Sequence, residues 1–176
     1  MAQDVVLGNY SPESVDVVIS VGQLVHAVTG FADGTFINVS RITPASELYV
    51  GSDLSAFRVK RRNKASTIDL TLHQASPSNQ VLQALQRADE EDDTDTWVFA
   101  ITIKDNSGQT LFSSSQAFVA TIPDTTLSST AETRNWQIQA VSLSSNVGGN
   151  TRMDASTVAA LSVLGEEVPE RWRLQQ

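Results

Sequence analysis

The chain has 176 residues, 20 acidic against 12 basic side chains for a formal net charge of −8, and no cysteine. That length suits one domain with a real core, and the missing cysteine excludes disulfides, thiolate metal sites and cysteine nucleophiles. Net acidity argues against a protein that grips nucleic-acid phosphates, since that affinity comes from neutralising them.

The N-terminal stretch MAQDVVLGNYSPESVD carries neither a basic nor an apolar leader region, and no run of about eighteen apolar residues follows anywhere. A soluble chain without a cleaved export signal or a membrane-binding segment is expected. Residues 15–20 and 23–29 read as two strands or one broken strand, and Asp33-Gly34 between apolar flanks is a hairpin-turn signal. From Arg41 to Phe57 the chain turns rich in Pro, Ser and Gly around a short LYV knot. A connection of this length inside a compact domain is usually functional or ordered by a partner, so residues 41–57 are taken as an arm.

Residues 57–73 read as strand again, as one long hairpin turning near residues 61–64. Within it KASTIDLTLH alternates strictly: Ile68, Leu70 and Leu72 on one face, Thr67, Asp69 and Thr71 on the other. Such a strand belongs to a sheet with one dry and one wet side. Ser76 is placed to cap a helix with Pro77 at its first position, and Val81, Leu82, Leu85 and Ala88 fall on one helical face. The run DEEDDTD then holds six acids, without which the net charge would be −2 (−8 + 6), and reads as a solvated loop from helix to strand.

TWVFAITIKD puts Trp97, Phe99, Ile101 and Ile103 on one face, and DNSG turns it into QTLFSSSQAFVATIP, the strongest hairpin pattern in the chain. A last strand, RNWQIQAVSLS, sets Trp136, Ile138 and Ala140 against Gln137, Gln139 and Val141. NVGGN reads as a glycine linker. Beyond it Asp154 is placed to cap a short helix, ASTVAALSVL, that Gly165 ends, followed by a tail with Trp172. The domain expectation is 1–149 for the β domain and 150–176 for a C-terminal extension.

No motif carries catalysis. His26 and His73 stand alone within strands, and the acidic run lacks the spaced ligands and bending glycine of a calcium loop. The serines have no G-x-S-x-G elbow or Ser-x-x-Lys partner, and Gly148-Gly149 lacks the lysine of a phosphate loop. The expectation is a non-enzyme with no cofactor and no metal. Arg58, Lys60, Arg61, Arg62 and Lys64 place five of twelve cations within seven positions. They read either as a solvated edge that blocks strand pairing or as an intersubunit contact with a neighbour's acids.

The succession of elements resembles the bacteriophage tail tube proteins, above all the small tube proteins of contractile tails. The likeness runs from about Val15 to Ser145. It rests on the VGQxV strand and glycine turn, the strand ending near residues 38–41, the long arm, the VKRRNKASTIDLTLHQASPSNQVL strand-to-helix unit, the WVFAITIKDNSGQTLFSSSQAFV hairpin and the late NWQIQA strand. The resemblance implies a mainly β fold with one flanking helix, a two-sheet sandwich or barrel of the tail tube type, six copies of which close into a ring. It implies rings that stack through the arm, with Thr43, Pro44, Glu47, Leu48, Tyr49, Val50, Asp53 and Leu54 as arm residues. It further implies an acidic lumen that double-stranded DNA passes, for which Thr67, Asp69 and Thr71 are the candidate wall.

The partners so implied are other copies of the chain, a sheath protein, a tail terminator or baseplate initiator, and the tape measure protein. The setting is the virion tail, assembled in the host cytoplasm. Two alternatives stay open: a tube-like part of a contractile injection system, and a β-sandwich ligand-binding module using Trp97, Trp136 and Trp172.

Overall fold

The computed structural model describes residues 6–174. Residues 1–5 of the N-terminal stretch, on which the expectation of no leader partly rests, and the tail residues 175–176 lie outside the described part. Ten strands and two α-helices follow in chain order: β1 (Val15–Val21), β2 (Leu24–Ala27), β3 (Ile37–Arg41), β4 (Ser46–Val50), β5 (Ala56–Lys60), β6 (Ser66–His73), α1 (Ser78–Glu91), β7 (Phe99–Asp105), β8 (Leu111–Thr121), β9 (Thr133–Ala140), β10 (Ser144–Asn146) and α2 (Ala155–Val163). All strand pairs are antiparallel. The main sheet has the order β2-β1-β7-β8-β9-β6-β3, with β10 added to β8, and β4 and β5 form a separate two-stranded sheet.

The main sheet is not a closed barrel; β2 and β3 are its edges. It is folded over one core. The first half of β8 pairs with β7 and its second half with β9, with register shifts in both ladders. One extra residue of this kind bends a strand and sharpens its twist, which lets β8 serve both halves of the sheet. The segment after β2 crosses the other side: Val28 N–H donates to Val17, then His73 N–H donates to Gly30 O and Ala32 N–H to Thr71 O.

That crossing corrects the reading of Asp33-Gly34 as a hairpin turn. β2 pairs only with β1 and β3 with β6, so the turn changes partner rather than joining two paired strands. The 57–73 hairpin is corrected likewise: β5 pairs with β4, and β6 lies between β3 and β9. The break at residues 61–65 is real, but it is the foot of the arm.

The two-faced strands behave as their alternation predicts. Ile68, Leu70 and Leu72 of β6, Phe99, Ile101 and Ile103 of β7, and Trp136, Ile138 and Ala140 of β9 are all buried in one cluster with Val17 and Ile19 of β1. Trp97, in contrast, precedes β7 and is 36% exposed. α1 lays Leu82 and Leu85 on this core, with Val81 at its margin. Its start falls one residue later than predicted, with Pro77 rather than Ser76 at the cap position. Ser76 still acts there, since its Oγ accepts from Ser78 N–H (3.2 Å) and donates to Thr29 O (2.5 Å). The helix also runs through Glu91, so the first three acids of the DEEDDTD run are helical. Only from Asp92, which accepts from Thr94 and Thr96, does the loop begin.

NVGGN is no free linker. Thr110 Oγ1 donates to Gly148 O (2.9 Å), Gln109 N–H to Gly149 O (3.2 Å), and Asn150 Nδ2 to Asp105 Oδ2 (2.8 Å). A Cβ at residue 148 would stand 2.4 Å from Gln109 Cβ, so glycine is what lets the chain lie this close. Burial opposes the charge of Asp105, but donors from Ser107, Asn150 and Gly108 outweigh it and hold the carboxyl below its ordinary value.

After that anchor the C-terminal residues close on themselves. Met153 N–H donates to Trp172 O and Leu174 N–H to Met153 O. Between these bonds lies α2, capped at one end by Asp154, which accepts from Thr157 N–H (2.9 Å). It ends at Gly165, φ +83, where Glu166 N–H reaches Leu161 O and Gly165 N–H reaches Ser162 O. Both bonds are those of a Schellman cap, which needs the left-handed residue there. α2 buries no residue, and Val168 beyond it is buried.

Candidate assembly surfaces

Three surfaces remain once the core is accounted for. The first is the arm, whose central part is a β-hairpin rather than the open loop expected. Its register pairs Glu47 with Val59, Leu48 with Arg58, Tyr49 with Phe57 and Val50 with Ala56. At its foot Arg61 N–H donates to Ala45 O (2.9 Å) and Ile42 N–H to Ala65 O (3.0 Å), while the Arg41 guanidinium donates to Asn63 O. Thr43 and Pro44 lie in this foot, before β4.

One face of the hairpin stacks Tyr49 on Phe57, with ring centroids 5.4 Å apart and planes at 12°. Tyr49 and Arg61 both donate to Glu47 Oε2, at 3.0 and 2.9 Å. Arg61 first, and Tyr49 after it, hold the Glu47 carboxyl below its ordinary value. The other face carries Leu48 and Val50 beside Arg58 and Lys60. Almost none of this is covered: Leu48 is 70% exposed, Phe57 62% and Leu54 at the tip 85%. A two-stranded hairpin is marginal by itself in water, and apolar surface gathered this way marks an interaction site.

Of the five predicted charge contacts, Arg61 is thus satisfied within its own chain. Its bond to Glu47 is the one ion pair among the described residues. Arg58, Lys60, Arg62 and Lys64 are exposed.

The second surface is the wet face of β3, β6, β9 and β8. The predicted wall residues Thr67, Asp69 and Thr71 lie there, half-buried among neighbouring polar side chains. A row of hydrogen bonds crosses all four strands. Asn38 Nδ2 donates to Asp69 Oδ2, Gln137 Nε2 to Asp69 Oδ1, and Thr121 Oγ1 to Gln137 Oε1, each at 3.3 Å. The flanking positions in register are Ser40 and Gln139 beside Thr67 and Asn135 beside Thr71. Asp69 is the only charge in that block. Sequence reading found the β6 residues from their alternation, and missed Asn38, Gln137 and Thr121, which only strand pairing brings beside them.

The third surface is α2, whose Ala155, Val158, Ala159, Ala160, Leu161 and Val163 are interspersed with Ser156, Thr157 and Ser162 and which has no buried residue. Elsewhere chemistry is sparse. His26 Nε2 lies 2.9 Å from Ser78 Oγ, and among the described residues no three His, Cys, Asp or Glu side chains gather as a metal site. Trp136 is buried with its indole donating to Asn79 Oδ1 (2.8 Å), and Trp172 lies in the C-terminal segment under Arg171, so the tryptophans make no shared platform.

Fold and surfaces together define a mainly β protein whose exposed apolar and polar groups gather on faces. The family model of the bacteriophage PhiTE tail tube protein matches residues 8–148, and the chain belongs to that family. It is therefore a phage tail structural protein, placed in the virion tail, of a family that is not one of enzymes. It is 33% identical over 165 residues to structural protein ORF10 of Pseudomonas phage KPP10, covering 93% of this chain and 95% of that one. In fold it is similar to the tube-terminating cap of the anti-feeding prophage, with a TM-score of 0.52, 12% identity, and coverage of 83% of this chain and 96% of that one. A sheath/tube terminator of an extracellular contractile injection system aligns with a TM-score of 0.46 at 15% identity over 74% of this chain and 93% of that one.

Proposed function

We propose that this chain assembles into stacked hexameric rings that form the inner tail tube through which phage DNA passes during ejection. The observation that carries this reading is the arm: a hairpin detached from the core, with Leu48, Tyr49, Val50, Leu54 and Phe57 exposed, is costly in a monomer and useful between subunits. Ring closure removes the sheet edges that β2 and β3 leave open, and a head-to-tail contact between rings extends without limit. The wet face suits a lumen, because a wall of polar side chains and Phe118, with one acid and no cation, offers DNA phosphates nothing to bind. Tubes would end on a terminator or baseplate initiator, meet the sheath outside and hold the tape measure and then DNA inside. Negative-stain microscopy of the purified protein is the test. Six-fold rings or tubes support the reading, and a monomer at every concentration and salt defeats it.

The free cations belong to the same proposal, as steering charges between subunits. Exposed pairs contribute about 0–1 kcal/mol each, so they register subunits more than they hold them. The doubly reversed variant Arg58→Glu/Arg62→Glu leaves the Glu47–Arg61 pair intact. It is expected to slow assembly most at low salt, and the difference should fade as the Debye length falls from about 10 Å at 0.1 M to about 3 Å at 1 M. Light-scattering rates that ignore both reversal and salt would return these residues to the role of a solvated edge.

The extension from residue 150 onward is proposed to dock on a neighbouring subunit or on sheath, since α2 buries no residue and leaves Val163 and Leu164 exposed. Hydrogen exchange at residues 158–164 is expected to be fast in subunits and slow in tubes. Slow exchange already in the subunit would assign α2 to the domain itself.

A further inference from the structure

The arm tip contains an arrangement that does nothing for an isolated subunit. Its turn is firmly built: Gly51 N–H donates to Ser55 O (2.7 Å), Leu54 N–H to Gly51 O (3.0 Å), and Asp53 Oδ1 accepts from both Ser55 N–H and Oγ. These bonds hold Leu54 at φ +64, a conformation glycine adopts freely and a γ-branched side chain does not. The leucine side chain is also 85% exposed. Backbone strain and an apolar group in water are both unfavourable here, and glycine would remove both.

We infer that Leu54 is the anchor of the arm and that its receptor is an apolar pocket on a second copy of this chain. The pocket, about 420 Å³, is walled mainly by Tyr10, Val15, Phe36, Ile37, Ile103 and Phe112, with Asp105, Thr110 and Asn150 also in its lining. It lies at the start of β3, whereas the arm leaves from the end of β3 after Arg41, so knob and hole sit at opposite ends of one strand. A contact between two such different patches is head-to-tail, and it propagates instead of closing as a dimer. Charge agrees with this pairing. The arm carries Arg58, Lys60 and Arg62, exposed and without an acidic partner among the described residues, while the pocket lining itself includes the carboxylate of Asp105 and no cation. The inference rests on the tube reading and assigns its axial contact to one residue and one pocket.

The chain has no cysteine, so Ser52→Cys, beside the anchor and leaving Leu54 in place, with Thr35→Cys, an exposed residue of the pocket lining, gives a clean cross-link. Oxidised assemblies are expected to run as a ladder extending past six subunits. A ladder ending at dimer, or one ending at six as a lateral contact within a ring would give, overturns the assignment. Independently, Leu54→Gly is expected to leave the thermal midpoint unchanged or raise it while raising the critical concentration for tubes at least tenfold. Thr35→Trp, which fills the mouth, is expected to do the same to assembly. If the unaltered chain forms tubes and Leu54→Gly forms them at the same concentration, the anchor fails and the tube reading stands. If the unaltered chain forms neither rings nor tubes, both fall together.

Discussion

Excising residues 46–60 and joining Ala45 to Arg61 through a short Gly-Ser linker is expected to leave a folded subunit that forms no tubes. The graft is geometrically easy, because Arg61 N–H already donates to Ala45 O across the foot of the hairpin. No arm residue belongs to the core cluster, and the β4–β5 sheet is separate from the main one. The loss to the isolated subunit is therefore confined to surface interactions such as the Glu47–Arg61 pair, and the thermal midpoint is expected to move by only a few degrees. Assembly loses every exposed apolar side chain from Leu48 to Phe57 at once. Burial of even three of them contributes on the order of 5 kcal/mol per contact, more than three powers of ten in an association constant. Sedimentation and microscopy distinguish the outcomes: single rings show that the arm joins rings axially, monomers show that it also joins subunits within a ring. Tubes of ordinary length would remove the arm from the stacking contact.

The arm also shows where reading the chain alone reaches its limit. β6 is legible because Ile68, Leu70 and Leu72 are buried while Thr67, Asp69 and Thr71 are not, and a period of two with one dry face admits a single register. The β7–β8 hairpin is legible for the same reason, together with its four-residue turn. β4 and β5 have no dry face in the subunit. In β4 Leu48, Tyr49 and Val50 run consecutively, so alternation is missing and that segment passes for a loop, whereas β5 alternates Phe57 and Val59 with Arg58 and Lys60 and reads as strand, its partner being β4 rather than β6.

Partner choice was the other blind spot. Asp33-Gly34 has the composition of a hairpin turn, but β2 pairs with β1 and the next strand, β3, pairs with β6. Local chemistry at the C-terminus was readable because the caps are local: Asp154 and Gly165 each act within four residues. The long-range bond from Asn150 to Asp105, which turns a glycine linker into an anchored segment, has no signal within its own stretch. Of the wet face, the three β6 residues could be named from alternation, whereas the polar row through Asn38, Gln137 and Thr121 depends on pairing that alternation does not specify.

Adjacent residues of β6 are expected to fail in opposite ways. Leu70 is fully buried, paired in register with Ile37 on one side and Trp136 on the other, so Leu70→Ala opens a cavity in the middle of the core. The cost is about 2–5 kcal/mol. Against a total of about 5–15 kcal/mol this lowers the thermal midpoint by roughly 5–15 °C in a domain of this size, and assembly suffers only because folded subunits become scarce. Asp69, one residue earlier, faces the wet side and accepts from Asn38 and Gln137. Asp69→Lys loses one exposed and one half-buried hydrogen bond and is expected to fold, and to assemble, almost as the unaltered chain does. On the proposed reading its defect belongs to the tube, where lysines would replace carboxylates along the lumen. Short DNA duplexes are then expected to be retained by Asp69→Lys tubes at 50 mM salt and released at 200 mM, as phosphate neutralisation requires. Position is checked separately with Asp69→Cys, which should react with a bulky maleimide in free subunits and resist it in tubes. Equal labelling in both states, or no gain in DNA retention, would move the channel wall to another face of the sheet.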